Sequence, residues 1–408
     1  MKKHYIDSLI VTIIVFIVIW LFTLIPLRFG AVDPIGRAIS DFDIYDLVFS
    51  RLRKEPQVDT NIVLVNIGNL DRNGIGREIR IIKNYKPKII GLDVFFWKEK
   101  GAAQDTLLSD ALSEYSNFVL VSKLDRYNSS LDIYDTLLHS APIFSRNKAT
   151  GYANYPEDDK GSFRTIRNFS PKASYKNSTE YAFPVKIVNM IDSNKVKSLL
   201  SRNNEREIIN YRGNFNKFYF LDTYDILDET ARLNLLKDKI VLLGYMGVNL
   251  NITTLEDIFF TPMNERYAGR AFPDMYGIVI NANIISMLLN QDYIDKMPYW
   301  LSIVLAVILC FWCVEGLLLI KRKYKDWFGA AFRFFIFLLT LIDLDLGVYI
   351  FNYFNYKINL TLMLAAIVLT PSGLDLYKSF IEKKLFKEEK SSAKISQVGS
   401  IRVPDSVP

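Results

Sequence analysis

Hydrophobic and polar positions fall into two regimes along the 408-residue chain. Near its start, SLIVTIIVFIVIWLFTLIPL runs for about 20 residues without a charge, enough for a helix to cross a bilayer. Three comparable runs crowd the other end, so the pattern predicts four transmembrane α-helices at residues 8–27, 298–320, 328–351 and 356–377. Between them, residues 28–297 change to short alternations. Asn61–Ile67, Pro87–Phe96, Phe118–Ser122 and Lys239–Gly244 read as strands, and Ile75–Tyr85, Leu107–Tyr115 and Gly277–Leu289 have helical spacing. Ser162–Asn168 and Glu207–Tyr211 read as strands of a more irregular, antiparallel insertion. Repeated βα units predict an α/β sandwich built on a mixed, mainly parallel sheet.

Charge sets the expected direction of the chain. Lys2 and Lys3 precede the first run, KRKYKD joins the second to the third, and KSFIEKKLFKEEK follows the fourth. Positive residues mark the cytoplasmic side, which places residues 1–7 and 378–408 inside and 28–297 outside, in a bacterium facing the periplasm or the cell exterior. LRFGAVDP after the first run has no small-x-small cleavage pattern, so an uncleaved anchor in the inner membrane is expected. The polar tail from Lys390 to Pro408 reads as disordered. Composition agrees with a soluble body joined to spans, being 50% hydrophobic yet 23% charged. The net charge of +6 gathers beside the apolar runs, which argues for membrane orientation and against nucleic acid as a partner.

Ionisable residues inside the spans are few and face bundle interiors as a rule. Glu315 and Arg333 lie about six and seven residues from the loop joining their helices, so matched depth predicts that they pair. Asp343 and Asp345, two apart, project to different faces, where interfacial water contact is favoured over a proton or signal relay. The two cysteines, Cys310 and Cys313, sit in a hydrophobic run and read as packing residues rather than a metal or redox site.

Catalytic chemistry finds little support. The two histidines are His4, beside the amino terminus, and His139, in a polar stretch, so neither a histidine-based hydrolase nor a zinc site is expected. GYMGVN follows a strand but lacks the phosphate-loop pattern, and its glycines read as a tight turn, so no cofactor is expected. Carboxylates are the better candidates for a site. Asp93, in the apolar run KIIGLDVFFW, and Asn66 lie at the carboxyl ends of two strands taken as neighbours, and Asp257 follows the loop after another. Ligands of open α/β sheets bind outside such ends, so Asn66, Asp93 and Asp257 form a candidate small-molecule or cation site, with Arg80 as a counter-charge. The competing reading, kept ahead of it, is structural: Asp93 fixes the loops by accepting backbone hydrogen bonds.

Four strings then carry a resemblance to the CHASE2 family of bacterial extracytoplasmic sensory domains. YDLVFSRLRKEPQVDTNIVLVNIG is similar to the family's entry, with Asp46 ahead of the first strand, and GREIRIIKNYKPKIIGLDVFF resembles its helix and following strand. GYANYPEDDKGSFRTIRNF resembles its hairpin, through Gly151, Asn154, Asp159, Gly161 and Arg164. DKIVLLGYMGVNLNITTLEDIFFTPMN followed by YGIVINANIISMLL resembles its last strand, D-x-x-x-T-P turn and closing helix. Two positions depart: Asn66 stands where the family usually has an acid, and Asn281 where the closing helix often carries a histidine. The resemblance implies a sensory protein and allows a homodimer. It also implies a cytoplasmic output domain, for which the roughly 30 residues after Tyr377 are too few, so signalling through a separate protein partner is expected. The alternative is a scaffolding protein whose α/β domain binds another envelope protein.

Overall fold

The computed structural model describes residues 2–24, 43–155, 165–230, 232–252, 254–264, 272–324 and 328–382. In chain order it contains α1 (Lys2–Thr23), β1 (Asp59–Asn66), α2 (Arg72–Asn84), β2 (Ile89–Leu92), α3 (Ala102–Ser113), β3 (Phe118–Asn128), β4 (Ile133–Leu138) and β5 (Ala149–Tyr152). Then come β6 (Lys172–Tyr175), β7 (Ser178–Tyr181), α4 (Phe183–Ile191), α5 (Ser193–Ser201), β8 (Phe218–Leu221), α6 (Thr223–Leu227), β9 (Ile240–Gly244) and α7 (Gly277–Asn290). The chain ends in α8 (Tyr299–Lys323), α9 (Phe328–Phe354) and α10 (Leu360–Leu376). Two compact units result, one of residues 34–294 and one of residues 1–33 with 295–408.

The first unit is built on a nine-stranded sheet, among the described residues, in the order β8-β1-β9-β2-β3-β4-β6-β7, with β5 also on β3. The run from β8 to β3 is parallel, and β4 turns back antiparallel on β3. Alternation along the strands supplies two apolar faces. Val63, Val65, Leu92, Leu120 and Leu243 pack under α2 and α3 through Ile75, Ile79, Ile82, Leu108 and Leu112. The opposite face takes α4 and α7, so close that a Cβ on Gly91 would lie 2.7 Å from Ile187 and one on Gly244 2.8 Å from Ile278. Helices on both faces are what a parallel sheet requires to bury its two apolar surfaces. The α/β class and mainly parallel sheet read from the sequence are therefore present.

Several elements differ from the expectation. β2 ends at Leu92, short of Phe96, because the chain leaves the sheet there: the Phe96 amide donates to Ser140 Oγ and its carbonyl accepts from Ala141 N. Of the irregular insertion, the described part contains Asn168–Phe169 paired antiparallel with Glu207–Ile208. Asp159, Gly161 and Arg164 lie outside the described residues, as does the tail. Asp46 is buried and held by Arg167 through two parallel contacts, Nε to Oδ1 at 2.9 Å and Nη2 to Oδ2 at 2.5 Å. This pair ties the segment before β1 to the strand at Asn168.

In the other unit, four helices are long and apolar enough to cross a membrane, at Tyr5–Thr23, Tyr299–Lys323, Gly329–Phe354 and Leu360–Phe380. The last begins later than the sequence pattern predicts, because Tyr356–Lys357 pairs in a short strand with Asp295–Lys296. Val11, Val15, Cys310, Val314, Leu317, Ala366 and Leu374 form the common core of α1, α8 and α10. Cys310 and Cys313 are buried, with Cys310 Sγ 3.5 Å from Thr370 Oγ1. The predicted Glu315–Arg333 pair does not form. Glu315 instead accepts from Ser8 Oγ of α1 at 2.7 Å, and Arg333 is exposed. Equal depth was a sound inference, but azimuth decides: α9 meets α8 where Phe335 closes on Gly316, and Arg333, two residues earlier, is turned about 200° away. Asp343 is buried and Asp345 exposed.

Removing one partner of a buried ion pair leaves the other uncompensated. Asp46→Ala should lower the unfolding free energy of the α/β unit by about 3–5 kcal/mol, measured by urea denaturation of the full chain in detergent.

Candidate functional site

The carboxyl ends of β1, β9 and β2 form the edge of the sheet at which the three candidate polar residues lie. β1 and β2 are not neighbours. β9 inserts between them, pairing Asn66 with Gly244 on one side and Leu243 with Leu92 on the other. Asn66 and Asp93 therefore stand about two strand spacings, roughly 10 Å, apart, and the expected cluster divides into two parts.

Asn66 belongs to the first part and is fully buried. Its Oδ1 accepts from Gly68 N at 3.1 Å and Met246 N at 2.8 Å, while its Nδ2 donates to Asp222 Oδ1 at 2.9 Å and Gly247 O at 3.1 Å. Two acceptances and two donations exhaust the capacity of an amide, so nothing remains for a ligand. The departure from an acid at this position also has a cause. A carboxylate here could not donate to Asp222, which caps α6 and also accepts from Leu250 N.

Asp93 and Asp257 form the second part. Asp93 is the first residue past β2, half-buried, and its Oδ2 accepts from Asn281 Nδ2 at 3.1 Å. Asp257 adopts a left-handed backbone (φ 53°), which aspartate tolerates, and its carbonyl accepts from Gly277 N at 3.1 Å. The residue is exposed, but its carboxylate turns to the first residue of α7, where a Cβ on Gly277 would be 3.3 Å from Oδ2. Tyr155 completes the group, donating its hydroxyl to Gly277 O at 3.1 Å with its ring against Phe259. Burial pushes the Asp93 carboxyl up to about 6 against the single Asn281 hydrogen bond. Burial and then the neighbouring Asp93 charge push Asp257 up to about 7.

Arg80 does not serve this pair. It points across the α2–α3 contact to Glu114 at 3.5 Å and Asp110 at 3.7 Å, because its place on α2 faces away from the sheet edge. Among the described residues, no group of three or more His, Cys, Asp or Glu side chains could hold a metal ion. The pair offers two oxyacids, an amide and a phenol, suited to a ligand that brings protons or hydrogen-bond donors. The sequence reading missed Glu78, although its spacing from Ile75 and Ile82 puts it on the apolar stripe of α2; it is fully buried. Asp274 was missed as well. It is gripped by Thr261 of the T-P turn, through the hydroxyl at 2.5 Å and the amide at 2.8 Å.

A family model described as the CHASE2 domain matches residues 12–318, three-quarters of the chain. The chain belongs to the CHASE2 family. CHASE2 domains are extracytoplasmic sensory domains rather than catalytic ones, and with four membrane-crossing helices this is a multi-pass membrane protein of that sensory family. No curated protein and no solved structure matches the chain. The matched residues take in about half of α1 and most of α8 as well as the α/β unit, so this CHASE2 match reaches into both units.

The two parts of the sheet edge should respond differently to substitution. Asn66→Leu strands several buried partners and should cost more than about 2 kcal/mol. Asp93→Asn keeps the shape and should leave the fold intact. Because the folded-state value of Asp93 lies above its ordinary 3.8, the stability it lends is complete below that pH and is lost as pH rises through about 6. Melting curves of wild type should therefore decline across that window, and those of Asp93→Asn should decline less.

Proposed function

We propose that this CHASE2 protein is a membrane-anchored receptor subunit whose α/β unit lies outside the cytoplasm, binds a small ligand at Asp93 and Asp257, and signals to a separate protein partner. Both termini then lie in the cytoplasm, consistent with Lys321, Arg322 and Lys323 in the last turn of α8. The observation that carries this reading is the position of α7. Its first residue, Gly277, touches Asp257 and Tyr155, and Asn281, one turn on, holds Asp93. All but its last two residues are buried, and residues 291–298 alone separate its end from the first residue of α8. A displacement of α7 caused by ligand is thus delivered along the chain to a membrane helix.

A ligand that binds only the folded state must raise its melting temperature. Screening the detergent-solubilised full chain against small envelope metabolites should find a compound that raises the melting temperature of wild type and not that of Asp93→Asn. Cross-linking capture from membranes should retain a signalling partner. Absence of any shift, together with a captured envelope partner that Asp93→Asn and Asp257→Asn retain equally, would favour the scaffolding reading instead.

A further inference from the structure

Three carboxyl groups of the α/β unit, Glu78 buried, Asp93 half-buried and Asp257 exposed but facing Asp93, have no cation paired with them among the described residues. Glu78 lies on the sheet-facing stripe of α2, fully buried, and neither carboxyl oxygen has a hydrogen-bond partner. Asp93 has the one contact from Asn281, and Asp257 faces it.

The charged neighbours among the described residues are these. On α2 itself, Arg72 is bound to Asp105 of α3, Arg80 and Lys83 to Glu114 just beyond α3, and Arg77 is exposed on the outer side of the helix while Glu78 is buried. From α6 the group acting on Glu78 is a second carboxylate, Asp222, already satisfied by Asn66, Thr223 N and Leu250 N. Around the other pair stand Glu256 on the same loop as Asp257, the Tyr155 phenol and the neutral Asn281 amide. A buried carboxylate with no counter-charge takes up a proton.

We propose that the α/β unit binds protons at Glu78 and at the Asp93–Asp257 pair, and that the acidity of its surroundings is a stimulus the protein reads. The signalling consequence rests on the receptor reading above; the proton binding does not. Burial, reinforced by Asp222, pushes Glu78 up to about 8, and burial raises the Asp93–Asp257 pair above the ordinary carboxylate range. Protonated, each is a neutral donor in a site with little to oppose it. Deprotonated, Asp93 and Asp257 repel one another beside the first turn of α7, and Glu78 repels Asp222 beside α6. Both repulsions are relieved by displacing a helix.

The test uses the full chain in lipid nanodiscs from about pH 5 to about pH 9. Infrared difference spectra follow the protonated-carboxyl band, and hydrogen exchange, corrected for its intrinsic pH dependence, follows α7. Wild type should keep protonated carboxyl at about pH 6 and lose it by about pH 9. Glu78→Gln should remove the part titrating highest, and Asp93→Asn with Asp257→Asn the part below it. Exchange of α7 should rise roughly tenfold across the range in wild type and stay flat in the double variant. A band gone by about pH 5, a titration unchanged by the variants, or an α7 indifferent to pH would each overturn the proposal. If the double variant fails to fold, Glu78→Gln and the wild-type titration still decide it. Loss of the pH response alongside a ligand shift abolished by Asp93→Asn would sink this inference and leave the receptor reading standing.

Discussion

The insertion of β9 between β1 and β2 is the constraint from which the rest of the α/β unit follows. Its five residues are wholly buried and bond on both sides, so α2 and α3 cover one face of a continuous parallel sheet and α4 and α7 the other. β9 also brings the Gly247 and Asp257 loops to the carboxyl edge, one against Asn66 and the other against Asp93. A single strand thereby makes two different polar environments. On one side Asn66 is saturated, and on the other two carboxyls face each other with the Asn281 amide donating to Asp93 alone.

Much of this was legible in the sequence for physical reasons. β1, α2, α3, β9 and α7 are long, periodic segments whose apolar faces admit one reading, and four predominantly apolar runs of about 20 residues have few uses outside a membrane. Asp93 was noticeable because an acid in an apolar run must be explained. Other features depended on contacts between residues distant in sequence. Nothing local in NIVLVNI or KIIGLDVFF says that a strand some 150 residues later will separate them. The edge strand FYFL, Phe218–Leu221, is four residues long and gives no period to recognise. Arg80 was assigned to the wrong partner because a helix position was known without its azimuth, and the same gap undid the pairing of Glu315 with Arg333.

The membrane unit states that lesson in another solvent. Glu315 is held by Ser8, while Tyr377, just past α10, donates its hydroxyl to Asp7 at 2.6 Å, so α1 is fastened by polar contacts to α8 and to the end of α10. In hydrocarbon an unsatisfied polar group costs several kcal/mol, which makes such contacts effective at fixing helix rotation. α9, by contrast, meets α8 at the Gly316–Phe335 approach, with Arg333 exposed.

Asn281 connects the family comparison to the electrostatics. The resemblance leads one to expect a histidine at this position of the closing helix, and the structure shows what asparagine does in its stead: it donates one hydrogen bond to Asp93 and brings no charge. An imidazolium there would compensate one carboxylate and hold the pair ionised, whereas a neutral amide leaves burial and mutual repulsion to dominate. Asn281→His should lower the pH at which the pair discharges while leaving Glu78, on the opposite face of the sheet, titrating as before.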